Sequence, residues 1–478
     1  MMDAESIPSY FQYWGKVEKD GSCFHLLPYH SLDVAAVSYI YLINHPAFRK
    51  KISKIIGLSE DISVRWLIFL SVLHDSGKFS ETFQNLRPDI LLKLQGKSSA
   101  RRYDVRHDTL GFLALKIILD NDIVSLFFRG ANELDGWQDA LLTALRACTG
   151  HHGIPPRMDA PNGMPLLESK YFTPKDLTAI AMFAQDASEM LGEQKSTVIP
   201  LSTFELEDHL IQASWLIAGF VVLSDWIGSN SKWFPFHEAP MPLVDYWQVY
   251  ALPQAEKALK ETGIGQLKNV SLNTTFFKLF PTFSHPTPLQ LHVEDCAISD
   301  SPQLFILEDV TGSGKTEAAL VLAGRMMSAG CGSGLFMGLP TMATSNAMYE
   351  RMTMVYRLLY AVEATPSLVL SHAARHLSPA FMSSIPSSKD DETEGMDMET
   401  PQCNSWLADN RKKALLADVG VGTIDQALLA VLPARFQSLR LFGLAGHILI
   451  VDAVVDWINK MIKTPNKWEN VGDENFLP

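Results

Sequence analysis

The sequence predicts a multidomain chain, an all-α domain followed by an α/β lobe built on a parallel sheet. Three observations predict it. Up to about residue 250, long apolar stretches recur at helical spacing and are broken by Gly, Pro and Ser clusters. Beyond about Pro281, short apolar runs alternate with helical patterns, as in a parallel sheet with crossover helices. The Gly-rich turn TGSGKT, Thr311–Thr316, stands between one such run and a helical stretch, the context of a phosphate-binding loop.

In the first half, helices are predicted around YHSLDVAAV, VRWLIFLSVLHD, TLGFLALKIIL, DALLTALRAC and LIQASWLIAGFVVLSDWIG. Trp233–Pro242, rich in Pro and aromatics, reads as a loop, and a further helix is predicted from about Pro253 to Thr262. In the second half, strands are predicted at LFILEDV (Leu304–Val310), SGLFMGLP (Ser333–Pro340), SLVLSH (Ser367–His372) and GHILIVD (Gly446–Asp452). The polar, acidic Ser387–Pro401 reads as a solvated loop. No internal repeat is visible. The expected divisions are a domain over 1–270, a linker over 271–285, a second lobe over 286–455 and a tail over 456–478.

Composition narrows the function classes. Hydrophobic residues make up 47% of the 478 positions and charged residues 19%, enough to bury sizeable cores. The net charge of −13 excludes a surface coated in positive charge, though not a local basic channel. The five cysteines, Cys23, Cys148, Cys296, Cys331 and Cys403, include no CxxC pair and give no disulfide framework, so a cytoplasmic setting is expected. The N-terminus lacks the pattern of a signal peptide. No stretch is expected to reach the length and apolarity of a membrane span, so no membrane partner is expected.

His74-Asp75 ends the helix VRWLIFLSVL. A His-Asp pair alone is weak, but it has company. His30 and His107 sit at helix starts, His151 and His152 form a doublet in TGHHG, and Asp225 lies near the end of a long apolar helix. Taken singly, each histidine also fits a helix cap, a core position or a turn. Taken together, imidazoles and carboxylates on a helical domain favour divalent transition metals such as Mn, Fe, Co, Ni or Zn. Phosphodiester hydrolysis needs an activated nucleophile and neutralised phosphate oxygens, which such ions supply. A carboxylate bridging two ions holds them roughly 3.5–4 Å apart, and Asp75 is the natural bridge. His25 reads as structural. Asp33, one turn from His30, reads as orienting a ligand or capping a helix. The basic run Lys97–His107 reads equally as a DNA entry path or a solvated loop.

The ordered set HLLPYHSLDVAAV, LHDSGKF, RHD, TGHHG and SDWIGS resembles the HD nuclease domain of the type I CRISPR-associated helicase-nuclease, particularly its subtype I-E form. The likeness runs across essentially the whole N-terminal half. It implies an all-α HD-type metal phosphohydrolase domain that hydrolyses single-stranded DNA with two metal ions. His30, His74, Asp75 and Asp225 would hold one ion, and Asp75, His107, His151 and His152 the second. Asp75 and Lys78 would be the catalytic pair, with Lys78 holding the substrate phosphate. A surface lysine after a glycine is the competing reading of Lys78.

In the second half, Thr311, Gly312, Ser313, Gly314, Lys315 and Thr316 make a phosphate-binding loop for ATP and Mg²⁺, with Lys315 on the β/γ-phosphates and Thr316 on the metal. The usual glycine at the loop's first position is Asp309 here. PTPLQ resembles the adenine-reading motif of superfamily 2 helicases, with Gln290 the candidate for the base edge. LPTMATSNAMYERM and VGTIDQALLAVLP resemble their DNA-contacting motifs, with Thr341, Thr344 and Thr423 as candidate phosphate contacts. Thr341 reads equally as a helix N-cap, and Gly422-Thr423 as a turn. The resemblance implies a RecA-like lobe. After HILIVD the chain departs from it. Asp452 remains available to Mg²⁺, but Ala453 replaces the glutamate that would orient water. The expectation is an incomplete lobe, able to bind ATP but not to unwind DNA, followed by an aberrant tail.

The chain is therefore expected to be the N-terminal part of an antiviral nuclease-helicase, a monomer, whose full-length relatives are recruited by an RNA-guided surveillance complex. Two alternatives stand beside it. One is an HD phosphohydrolase acting on nucleotides. The other is a catalytically silent remnant that only binds DNA or a partner.

Overall fold

Helix signals written in the first half are honoured in the fold. The computed structural model describes residues 7–18, 21–119, 137–157, 159, 163, 165–192, 201–265, 267–299, 301–385, 406–407 and 413–452. The chain divides into two units between Glu261 and Thr262.

The first unit opens with a pair of antiparallel strands, β1 (Trp14–Val17) and β2 (Phe24–Leu26). Runs of four and three residues are too short to show an alternation, so the sequence did not announce them. β2 runs directly into α1 (Leu27–Asn44), which carries Pro28 in its first turn, where a missing N–H costs nothing. α2 (Pro46–Ile56) closes on Gly57 in the left-handed conformation. α3 (Glu60–Leu73) starts on Ser59, whose hydroxyl accepts from the Ile62 amide, with Glu60 and Asp61 at the positive end of the dipole. A tight 3₁₀ turn (Ser76–Phe79) leads to α4 (Glu81–Gln84), α5 (Pro88–Gln95), α6 (His107–Ile118) and α7 (Trp137–Thr149). α8 (Pro174–Met190) and α9 (Thr203–Gly228) both begin with reciprocal capping boxes, Thr173 with Asp176 and Ser202 with Glu205. α10 (Leu252–Thr262) matches the last predicted helix.

Three helices meet on small polar residues. The Ser38 hydroxyl of α1 lies 2.7 Å from Ser71 Oγ of α3 and 2.9 Å from Ser224 Oγ of α9. Each such buried bond contributes about 1 kcal/mol net. Near the same crossing, Gly228 of α9 lies so close to Val34 of α1 that a Cβ would stand 2.9 Å from the Val34 backbone. α9 also corrects one expectation. It is 26 residues long and apolar enough to cross a membrane by length and composition. Yet 67% of its most apolar window is buried inside the unit, against α7, α1 and α2, so it serves as a core helix.

The second unit holds a parallel sheet in the order β4-β5-β3-β6, formed by β3 (Gly334–Leu339), β4 (Leu368–Ser371), β5 (Val419–Thr423) and β6 (His447–Val451). β3, β4 and β6 fall where strands were predicted. β5 overlaps the start of the stretch read only as a DNA-contacting motif and was not predicted, because two of its five residues are glycines that blur any apolar run. Those glycines are needed. A Cβ on Gly422 would overlap the Ser371 carbonyl, and one on Gly420 would press into the Phe336 ring. α11 (Pro288–Asp295), α12 (Lys315–Ser328) and α13 (Met342–Thr353) complete the part used below.

The predicted strand Leu304–Val310 is not one. A strand exists only by pairing, and among the described residues none pairs with this segment, nor with the edge of β6 turned away from β3. Leu304, Ile306 and Val310 consequently stay exposed. The acidic stretch Ser387–Pro401 and the tail 456–478 lie outside the described residues.

The basic run before His107 is tied down by ion pairs and hydrogen bonds. Lys97 pairs with Glu81 at 2.7 Å, and the Ser99 hydroxyl donates to the other Glu81 oxygen. Arg101 reaches Glu81 at 3.4 Å and donates to the carbonyls of Ser169 and Phe172, while Asn85 donates to the Arg101 carbonyl. Arg106 pairs with Asp108, and Arg102 is left exposed. Glu81 is thus the anchor of a strap leading to α6. Burial pushes its carboxyl up, but the bonds from Lys97 and Ser99 outweigh that and hold it below the ordinary 4.5. A depressed carboxyl contributes stability above its unfolded pKa and loses it as pH falls through the folded value. Glu81→Gln should therefore lower the urea midpoint at pH 7, and the gap from the native chain should close as pH drops below about 4.5. A gap unchanged from pH 7 to pH 3 would show that the ionised carboxylate does not hold the strap.

Candidate metal centre

Asp75 follows α3 at its C-terminal end, and its two oxygens face different groups. Oδ2 lies 2.8 Å from His30 Nε2, 3.2 Å from His74 Nε2 and 2.6 Å from Lys78 Nζ. Oδ1 lies 3.4 Å from both His107 Nε2 and His151 Nε2. Asp225 Oδ1, from α9, stands 3.8 Å from His74 and 4.0 Å from His30. His152 Nε2 is 2.7 Å from His107 Nε2. All seven residues expected to ligate metal are therefore gathered around one carboxylate.

The elements explain the convergence. His30 lies one turn into α1, His74 caps the end of α3, His107 is the first residue of α6, and the 151–152 doublet follows α7. Groups behind the ligands fix their orientation. A carbonyl can only accept, so His74 Nδ1 donates to Ser71 O at 2.7 Å, which leaves the Nε2 lone pair for the site. The Tyr103 hydroxyl sits 2.7 Å from the His107 amide and 3.0 Å from its Nδ1. The Ser229 hydroxyl donates to Asp225 Oδ1 at 2.6 Å.

The electrostatics favour neutral rings at His30, His107 and His152 beside ionised carboxylates, whereas burial pushes His151 down but the adjacent Asp75 carboxylate outweighs it and holds the ring above its ordinary value. Burial, reinforced by Lys16 and Lys78, drives His30 well below its ordinary value. Burial does the same to His107, and with the charge of His151 it lowers His152 to about 4. Burial pushes Asp75 up, but Lys78, His74, the nearby His151 and the bond from His30 hold it well down. Asp225 is likewise held low, chiefly by His151 and His74 against its burial. Neutral imidazole and ionised carboxylate are the forms that bind metal.

The donor set fits a pair of divalent cations. His74 Nε2 and Asp75 Oδ1 are buried inside the cluster with no hydrogen-bond partner, an arrangement that is costly unless something positive fills it. Two trios, His30–His74–Asp75 and His107–His151–His152, each bring ligand atoms within 4.8 Å of one another.

Neighbours that were less legible complete the picture. Asp33 does not touch a ligand. It accepts from Tyr246 and pairs with His25, each at 2.9 Å, which makes His25 structural as expected. Lys16 of β1 was not singled out by any motif. Burial lowers its ammonium to about 8 although Asp225 pulls it up.

In the second unit, Thr311–Thr316 turns through left-handed Gly312 and Gly314 into α12. Lys315 Nζ donates to the carbonyls of Asp309 and Val310, each at 2.8 Å, while the Asp309 carboxylate accepts from the Val310 amide. Gln290 is buried and donates to Gly314 O, tying α11 to the loop. Thr341 and Thr344 cap α13 reciprocally, and both are exposed. Thr423 ends β5 and Asp452 follows β6, both at the C-terminal edge of the sheet, where ligands of such sheets bind. Ala453 lies outside the described residues.

A helical unit carrying a His-Asp cluster, followed by a parallel-sheet α/β unit, is the architecture of a two-unit protein of the HD class. Residues 14–234 match the family described as the HD domain of Cas3. The CRISPR-associated endonuclease/helicase Cas3 of Escherichia coli is 29% identical over 463 residues, covering 92% of this chain and 50% of that protein. Its counterpart in Thermus thermophilus is 30% identical over 450 residues, 91% of this chain and 45% of the relative. The crystal structure of T. fusca Cas3 with AMPPNP superposes with a TM-score of 0.72 at 26% identity, over 92% of this chain and 46% of that one. The chain belongs to the Cas3 family, and it spans about half the length of these relatives.

One glycine sets the geometry. A Cβ on Gly77 would overlap the His107 carbonyl and crowd the Gly111 amide, so the turn after Asp75 touches the first turn of α6 backbone to backbone. Gly77→Ala should push α6 away and lower stability by about 1–3 kcal/mol. Urea denaturation measures this, and an unchanged midpoint would mean that the contact does not position His107.

Proposed function

We propose that the first unit hydrolyses single-stranded DNA, using two divalent transition metal ions held by His30, His74, Asp75 and Asp225 on one side and by Asp75, His107, His151 and His152 on the other. The observation that carries this reading is the divided carboxylate of Asp75, with one oxygen toward His30 and His74 and the other toward His107 and His151. When bound, the ions would supply Lewis acidity and an activated water for attack on the phosphodiester. The chain's own contribution is placement. Four helices and a Gly-flanked doublet hold the ligands, with the rings of His30 and His107 neutral and the Asp75 carboxylate charged. Lys78 adds a cation beside Asp75, and the buried walls strengthen every electrostatic contact inside.

In the second unit the loop Thr311–Thr316 would bind ATP, with Lys315 exchanging its carbonyl partners for the phosphates and with Thr316 and Asp452 toward Mg²⁺. Thr341, Thr344 and Thr423 would contact the strand backbone. With Ala453 where a water-orienting glutamate would stand, we expect nucleotide binding without unwinding. The setting would be CRISPR defence in the cytoplasm, with an RNA-guided surveillance complex delivering the strand.

The test is incubation of the full chain with Mn²⁺ or Ni²⁺ and circular single-stranded DNA, beside a panel of nucleotides and an Asp75→Asn control. Circles opened by the native chain and untouched by the variant are expected. Intact circles with a hydrolysed nucleotide would move the activity to small substrates, and no hydrolysis by folded, metal-loaded protein would overturn it.

A further inference from the structure

The lysine assigned to the substrate phosphate by its motif is already engaged. Lys78 Nζ is 2.6 Å from Asp75 Oδ2 and donates to the carbonyl of Gly15. It sits behind the carboxylate, in position to hold it. The next residue after Gly15 is a second lysine, Lys16, on β1.

β1 lies directly against the site. A Cβ on Gly15 would stand 3.0 Å from the Leu27 backbone and 3.3 Å from His30 Cβ, so the strand touches the first turn of α1 where His30 emerges. Lys16 is paired in register with His25 of β2, and its side chain is half-buried. The charges acting on its ammonium are those of Asp225, Lys78, Asp75 and Asp33, and Lys16 in turn acts on His30, Asp225 and Asp33. Among the described residues, none forms an ion pair within 4 Å or a side-chain hydrogen bond with it. A half-buried ammonium without a close anion has lost water and gained little in return.

Resting on the nuclease reading above, we propose that Lys16 is the phosphate-binding cation of this site, contacting a non-bridging oxygen of the bound strand, while Lys78 positions Asp75. Cation binding sharpens the case. Once Asp75 and Asp225 serve as ligands, their charge is spent on the ions, and Asp33 is already bonded to His25 and Tyr246. An anion arriving with the substrate is then the natural partner for Lys16. Ammonium-to-phosphate contacts are of the charge-assisted kind, and losing one weakens binding by about tenfold.

The experiment uses the full chain loaded with Mn²⁺ and a phosphorothioate single strand that resists cleavage. Lys16→Met should keep the native manganese content, bind the strand about tenfold more weakly, and reduce the slope of log affinity against log salt by about 0.7. Lys16→Arg should restore both, and Lys78→Met should instead lose manganese. Lys16→Gln replaces the Met variant if that one does not fold. Native affinity and slope in Lys16→Met, or a loss of manganese from it, would overturn the proposal. If the native chain binds no strand but hydrolyses nucleotides, the DNA reading fails alone. Lys16 is then judged by the nucleotide KM, where a rise of about tenfold supports it and no change overturns it.

Discussion

The divided carboxylate of Asp75 is the constraint on which the first unit depends. An ionised group buried at the meeting point of α1, α3, α6 and the 151–152 doublet is tolerable only with positive charge on all sides. Lys78 supplies one such charge, and the buried His74 Nε2, without a hydrogen-bond partner, leaves a ligand atom for the rest. The helices are consequently organised from the inside out. The serine joint of Ser38, Ser71 and Ser224 fixes the three helices that carry His30, His74 and Asp225. The contact of Gly77 with the His107 carbonyl, together with the strap anchored at Glu81, fixes the helix that carries His107.

The second unit obeys a different constraint. A parallel sheet buries both faces, and β3, β4 and β5 do so fully. β6 is only partly buried and has one edge without a described partner. The segment before the phosphate loop shares that condition, with Leu304, Ile306 and Val310 in solvent. The loop itself nevertheless has its conformation set locally, by Gly312, Gly314 and the start of α12.

Much of this was legible in the sequence, for identifiable reasons. The helices of the first unit are long, apolar and capped, and the histidines of the cluster stand at their ends, where a motif can be recognised. β3, β4 and β6 show as apolar runs. What escaped reading depends on partners far away in the chain. β1 and β2 are too short for periodicity, β5 hides behind its glycines, and Leu304–Val310 has every local mark of a strand but no described ladder to join. Lys97 and Arg101 looked like free cations because nothing local reveals Glu81 as their common anchor. Lys16 stayed invisible because its importance comes from the position of β1 over His30, which no spacing rule encodes.

The most direct measurement is anomalous diffraction at the manganese edge from crystals of the loaded chain. Two peaks roughly 3.5–4 Å apart, one beside each oxygen of Asp75, are what a bridging carboxylate requires. A single peak, or ions lodged away from that side chain, would contradict the account.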